Sequence, residues 1–353
     1  MMQRLLSHDM PRSRVLAVIL TLIVLGLAFA PFLFHGAKAM NVAAKILVFI
    51  VLVASYDLLL GYTGIVSFAH TMFFGIGAYG IAIASSRMGP GWSSLLVGAL
   101  GAVLLSLLLS LVIGLFSLRV RAIFYAMITL AVASAFQTLA SQLSEITGGE
   151  DGLNFKLPEV LAPSFQIGDD PFLGTYLDGR FITYYLVFLS AAVLFLAMLR
   201  IVNSPFGHVL KAIRENDFRA EAIGYRTVVF RTWSNVLAAV FATLAGCLLA
   251  IWLRYNGPDT SLSFEIMIDI LLIVVIGGMG TMYGAICGAT VFLLAQSYLQ
   301  DLMALAADAT QSVPVLSALL SPDRWLLWLG ILFILSVYFF PTGIVGKLRT
   351  WRM

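Results

Sequence analysis

The sequence predicts an all-α, polytopic membrane protein of about ten transmembrane helices (8–10), and three observations predict it. Hydrophobic residues make up 61% of the 353 and charged residues 11%, against about 45–50% and about 25% in soluble domains. Mean hydropathy is +0.98. The apolar residues are gathered into runs of membrane-spanning length rather than spread at amphipathic spacing. A chain this apolar cannot bury its side chains in one aqueous core, so lipid serves as solvent for much of it. Backbone polar groups in lipid must be satisfied internally, which makes each run a helix. Residues 1–353 form a single transmembrane domain in this reading.

Ten runs are predicted, at roughly 15–34, 42–60, 64–86, 92–116, 122–142, 181–201, 229–253, 264–277, 283–300 and 325–340. The first follows Arg12 and Arg14 and contains Ala28-Phe29-Ala30, as a cleaved signal peptide would. However, Pro31 follows at once and the apolar run continues to Phe34, which favours a retained span. The eighth run is short enough to be tilted, broken or partly spanning, which leaves a count of eight or nine open. Orientation comes from the positive-inside rule. With both termini cytoplasmic, the cytoplasmic segments hold 14 of the 21 basic residues. These are Arg4, Arg12, Arg14, Arg119, Arg121, Arg200, Lys211, Arg214, Arg219, Arg226, Arg231, Lys347, Arg349 and Arg352. The loop 143–180 then lies outside the cytoplasm. It carries Glu145, Glu150, Asp151, Glu159, Asp169, Asp170 and Asp178 against Lys156 and Arg180. Ten spans would divide into two inverted halves of five, but no internal repeat is visible in the sequence.

Four segments carry candidate mechanism. The polar insertion 203–228 reads as two short helices: Ser204 caps the first and Pro205 opens it. Phe206, Gly207, Lys211, Ala212, Arg214 and Glu215 lie along it. Asp217 is expected to cap the second, which holds Ala220, and Gly224 ends it in a left-handed conformation. Such a pair suits a groove in a soluble partner, and equally suits an interfacial loop whose bases meet lipid head groups. In 61–86, Gly64, Ser67, Thr71, Gly75, Ala78, Ala82 and Ser85 form a small-residue stripe on one predicted helical face. The stripe serves close packing or lines a narrow polar path. His70, beside it, is expected to be neutral and hydrogen-bonded or to relay protons. In 277–288, Gly280, Gly284 and Gly288 form a G-x-x-x-G-x-x-x-G packing stripe after a flexible Gly277-Gly278 turn. Finally, Asp57 and Asp269 fall inside apolar runs, where charge is costly unless it faces a path or a partner. Both lie near predicted span ends, where interfacial solvation is the alternative.

The remaining residues point away from catalysis. Cys247 and Cys287 sit alone in apolar stretches, as packing residues do. No nucleophile–base pair, metal-ligand spacing or Gly-Lys-Ser/Thr phosphate loop is present. No cofactor and no nucleic-acid partner are expected. ATP, if it drives this chain, is hydrolysed by another subunit.

Four of its segments occur in an order that resembles a family. GYTGIVSFAHTMFFGIGAY from Gly61, TGGEDGL from Thr147, SPFGHVLKAIRENDFRAEAIGY from Ser204 and IGGMGTMYGAICGA from Ile276 are similar to the membrane subunits of branched-chain amino-acid (leucine-isoleucine-valine type) ABC importers. The second of the two permease subunits, with a TGG-x-x-GL segment in its outer loop, is the nearer match. The resemblance implies that 204–225 couples to an ATPase, that 61–79 packs near the translocation path, and that the chain sits in a bacterial inner membrane. It implies as partners a homologous second permease, two ABC ATPase subunits and a periplasmic binding protein. The family includes carriers of urea, short amides and aromatic acids. Phe68-Ala69 stands where relatives often have Leu-Gly before the His, which leaves local packing and substrate size in question. Two other classes stand beside this one. An ion-coupled transporter would use Asp57, His70 or Asp269. A membrane enzyme would need an acid, base or metal constellation that the sequence lacks.

Overall fold

A computed structural model describes residues 13–33, 36–117, 122–166, 177–309 and 320–350. Arg4, Arg12, Phe34, Arg119, Arg121, Asp169, Asp170 and Arg352, used above for spans and charge, lie outside them. The main helices are α1 (Arg14–Ala28), α2 (Ala37–Thr63), α3 (His70–Met88), α4 (Trp92–Ser117), α5 (Ala122–Gln142) and α6 (Gly179–Val202). They continue with α7 (Pro205–Glu215), α8 (Asp217–Ala222), α9 (Thr227–Leu253), α10 (Phe264–Gly277), α11 (Met282–Ala309), α12 (Trp325–Phe339) and α13 (Gly343–Thr350). The protein is an all-α polytopic membrane protein, and among the described residues eight helical segments are long and apolar enough to cross a membrane.

Each of the ten predicted runs contains a helix, but two differ from expectation. The first stops at Ala28, and a single turn, Ala30–Leu33, follows. Proline explains the break. Pro31 has no N–H to give the Leu27 carbonyl, and the Tyr184 hydroxyl donates to that carbonyl at 2.5 Å. Tyr185 likewise donates to the Ala28 carbonyl at 2.8 Å. The third run is not helical from Gly64. Gly64 adopts φ +72 as the left-handed cap of α2, and α3 begins only at His70. Gly64 and Ser67 therefore leave the predicted helical stripe. The non-helical stretch is tolerated because it is satisfied within the protein. The Phe68 N–H donates to Thr129 Oγ1 of α5 at 3.0 Å, and the Ala69 N–H donates to Ser67 Oγ at 3.3 Å.

α2 is the axis of the fold. Its residues from Ile46 to Leu59 are all buried, packed by α6, α9, α10 and α11. α9 crosses α3 at two glycines. A Cβ on Gly77 would stand 1.9 Å from the Thr243 carbonyl oxygen, and one on Gly246 would stand 1.9 Å from that of Phe74. The backbones touch, which is how small residues hold helices together where lipid offers no hydrophobic drive. The eighth run is short as predicted, but α10 is preceded by a one-turn helix, Pro258–Ser261. Ser263 caps it, accepting from the Ile266 N–H at 3.4 Å.

The loop after α5 is tied to the α9–α10 connection. Leu153–Asn154 pairs antiparallel with Tyr255–Asn256, and Arg254 donates to the Leu161 carbonyl at 2.8 Å. The TGG segment makes a tight turn in which Gly148, Gly149 and Gly152 all have positive φ. A Cβ on Gly148 would lie 2.1 Å from the Gly152 carbonyl oxygen, so the turn closes on its own backbone.

Candidate functional site

The polar insertion folds as two short helices, α7 packed against α2 and α8 packed against α7 and α9. Ser204 caps α7, its hydroxyl accepting from the Gly207 N–H, with Pro205 in the first turn. Gly207 lies against the α6 end, where a Cβ would come within 2.1 Å of the Val202 carbonyl oxygen. Phe206 stacks on Phe230 with centroids 5.7 Å apart. Ile213 and Ala220 are buried, Ala212 is half-buried and Glu215 is exposed. The predicted cap of α8 is corrected by one residue. Asn216, not Asp217, accepts from the Arg219 N–H, at 2.9 Å, while Asp217 pairs with Arg231 of α9 at 2.9 Å. An amide and a carboxylate both cap well, so the sequence did not separate the neighbours. Gly224 has φ +99 and ends the pair as expected. Phe218 is 81% exposed and Ile223 67% exposed, a solvent-side apolar pair that the sequence reading passed over.

Two bases of α7 turn back toward the membrane helices. Arg214 Nη1 donates to the Gly61 carbonyl near the end of α2. Lys211 Nζ sits 5.3 Å from the centroid of the Tyr62 ring. Gly61 touches the α10–α11 turn, since a Cβ there would stand 2.4 Å from the Gly280 nitrogen. Gly280 has φ +79 and belongs to that turn, not to the helix. This corrects the predicted three-glycine helical stripe. Gly284 and Gly288 do pack α11 on α10, against Gly277, whose added Cβ would stand 2.1 Å from the Gly284 carbonyl oxygen. Gly278, φ +113, lies beside Thr342 and Gly343 at the start of α13.

Asp57 closes the cluster. It is 2% exposed, so the interfacial solvation considered for it does not apply. Its Oδ1 accepts from the Gly280 N–H at 2.8 Å, and its Oδ2 is buried with no hydrogen-bond partner among the described residues. One step of α2 thus links an intramembrane carboxylate, a strained glycine turn and the arginine of a surface helix.

The other candidates are elsewhere. His70 is 2% exposed, with Nε2 2.8 Å from Ser55 Oγ. Ser55 donates its only proton to the Leu52 carbonyl at 2.7 Å, so the imidazole is the donor to Ser55. Tyr56 meets the ring edge-on at 5.1 Å. Thr71 is buried, and Gly75 accommodates Leu262, whose Cδ2 would lie 2.1 Å from a Cβ. Asp269 accepts from Gln296 Nε2 at 3.2 Å, and Lys45 Nζ donates to Gln296 Oε1 at 3.3 Å. Lys45 and Gln296 were not singled out in the sequence, because each is a lone polar residue in a run with no local partner. An apolar cavity of about 430 Å³ lies between α3, α4 and α5, lined by Gly80, Gly98 and Phe136 among others, away from these polar groups.

Spanning helices around buried polar groups, joined to a surface helix pair, define a helical multi-pass membrane protein. The chain belongs to the family described as branched-chain amino acid transport system / permease component, whose model matches residues 38–337. Escherichia coli has a high-affinity branched-chain amino acid transport system permease protein, LivM, to which the chain is 28% identical over 296 residues, covering 80% of this chain and 68% of that one. A probable branched-chain amino acid transport permease protein LivM of Methanocaldococcus jannaschii is 22% identical over 300 residues, covering 80% and 81%. BraD, a permease protein of a high-affinity branched-chain amino acid transport system in Pseudomonas aeruginosa, is 23% identical over 295 residues, covering 83% and 89%. No solved structure matches.

Proposed function

We propose that this chain is a permease subunit of an ATP-binding-cassette importer. It carries branched-chain or chemically related amino acids across a bacterial inner membrane while separate ATPase subunits hydrolyse ATP. The family supports the permease role, and the relatives' names support the substrate class. The observation that carries the coupling claim is the contact between α7 and the end of α2. Arg214 holds the Gly61 carbonyl, and Gly61 rests on the turn that Asp57 fixes. A force on α7 therefore reaches the axis helix and the α10–α11 turn without crossing a flexible linker. The partner would be an ATPase whose groove takes the α7–α8 pair, with Phe218 and Ile223 as its exposed apolar contacts. A second permease completes the channel, and a periplasmic binding protein delivers substrate to the opposite face. The α7–α8 side, with both termini, is cytoplasmic in this reading.

The test is uptake into proteoliposomes holding the two permeases and two ATPases, with loaded binding protein outside. Leucine uptake should require ATP inside and survive collapse of proton and sodium gradients. Phe218→Asp should lower co-purification of the ATPase at least tenfold. Uptake by this chain alone, driven by an ion gradient, would refute the importer reading. Undiminished co-purification with Phe218→Asp would refute the docking assignment.

A further inference from the structure

The seam between α2, α10 and α11 has the chemistry to hold a zwitterion. Lys45 on α2 donates to Gln296 Oε1 on α11 at 3.3 Å, and Gln296 Nε2 donates to Asp269 on α10 at 3.2 Å. The ion pairs found among the described residues are Lys38–Asp301 and Asp217–Arg231. Lys45 and Asp269 are thus not in direct contact, and one amide holds the two charges apart. The amide offers its oxygen to the cation and its N–H to the anion. An α-amino-acid head group would offer a carboxylate and an ammonium in the same places, each with full charge.

The seam is also placed for access. Lys45, Asp269 and Gln296 are all partly exposed on the flank of the bundle rather than sealed in its core. Opposite charges on a lipid-facing flank are costly, so residues like these face a polar path or a partner. One end of the seam is marked by Lys38 and Asp301, paired at 2.5 Å and both more than half exposed. Lys38 stands two helical turns before Lys45, and Asp301 stands five residues after Gln296. Charged groups thus run from the rim to the bridged pair. Along α2 the seam lies about 18 Å from Asp57, at 1.5 Å per residue. It is therefore remote from the contact with α7, toward the face that carries the 143–180 loop.

We infer that Lys45 and Asp269 form an intramembrane subsite for the carboxylate and ammonium of a free α-amino acid, with Gln296 bridging them until substrate displaces its amide. The inference rests on the importer reading and adds a recognition step inside the permease.

The experiment uses the purified complex of both permeases and both ATPases. Without ATP or binding protein, its melting temperature should rise with millimolar L-leucine. It should not rise with leucinamide, which lacks the carboxylate, or with 4-methylpentanoate, which lacks the ammonium. Lys45→Met should abolish the leucine shift, and Lys45→Met or Asp269→Leu should lower leucine uptake at least tenfold. The double variant K45M/D269L is decisive. A merely structural bridge is replaceable by an apolar pair, so uptake within twofold of wild type in the double variant overturns the subsite. Should the double variant fail to assemble, K45Q/D269N is read by the same criterion. Equal stabilisation by leucinamide also overturns the inference. Failure of the importer reading itself appears differently, as wild-type uptake that needs no ATP, while the leucine-specific melting shift persists.

Discussion

At the scale of single residues, glycines and one buried acid carry most of the specification. Gly77 and Gly246 are where α3 and α9 touch, with carbonyl oxygens 1.9 Å from where each Cβ would be. Backbone cannot move aside as a side-chain tip can. Gly246→Leu should therefore destabilise by at least about 1–3 kcal/mol, the usual range for overpacking, read as a fall in melting temperature of the solubilised protein. Gly101→Ala on α4 is the control, since nothing among the described residues lies within 4 Å of a Cβ there. Asp57 makes a different prediction. Asp57→Asn keeps an oxygen for the Gly280 N–H, whereas Asp57→Leu removes the acceptor and leaves a part-buried N–H unpaired, at a cost of up to about 1–3 kcal/mol. Asp57→Leu should melt lower than Asp57→Asn, and equal melting would remove the structural role given to that bond. The sequence marked Asp57 as unusual, because an acid in an apolar run stands out. It did not mark Gly77, because a glycine in a helix looks alike whether a backbone approaches it or lipid does.

At the scale of elements, the break at 64–69 and the α10–α11 turn meet around Gly61, and both rely on positive φ. Gly64 has φ +72 and Gly280 has φ +79. For Gly280, a Cβ would also stand 2.9 Å from the Gly61 carbonyl oxygen and 2.6 Å from Arg214 Nη1. Left-handed backbone costs a residue with a Cβ about 1–2 kcal/mol, and the crowding adds to it. Gly280→Ala should weaken the link between α7 and α2, so that uptake per ATP hydrolysed falls in the reconstituted complex. Unchanged stoichiometry would mean that the turn is only a connection. Hydropathy did not find the break, because Ile65, Val66, Phe68 and Ala69 are as apolar as a helix would be. Apolarity reports depth in the membrane and is silent on backbone conformation. The α7–α8 pair was legible for the opposite reason: capping residues act within one turn, so their signal is local. The Lys45–Gln296–Asp269 seam was not legible as a unit, since Lys45 stands 251 residues before Gln296 and Asp269 stands 27 before it, each on its own helix, and only the fold brings them together.

At the scale of the whole molecule, the two faces of the bundle follow from contacts without reference to the number of spans. The 143–180 loop and the α7–α8 pair are separated by α6 alone, so they lie on opposite faces if α6 crosses. β-pairing of Leu153–Asn154 with Tyr255–Asn256 returns the α9–α10 connection to the loop face. Arg214 against Gly61, and Gly280 against Gly61, put the ends of α2 and α10 on the α7 face. Thr342 and Gly343, beside Gly278, bring the start of α13 to that same face. This arrangement agrees with the acidic loop lying outside and the basic segments inside. Cysteine labelling tests it directly. The native thiols Cys247 and Cys287 are both free and buried, and replacing them with Ala leaves a background for single cysteines at Glu150, which is exposed in the loop, and at Phe218. In intact spheroplasts a membrane-impermeant maleimide should label Glu150→Cys at once and Phe218→Cys only after permeabilisation. The reverse pattern would invert the orientation and with it the side on which an ATPase could dock. Labelling of both in intact cells would break the α6 crossing, and that result would dismantle the two-face arrangement from which the coupling path is argued.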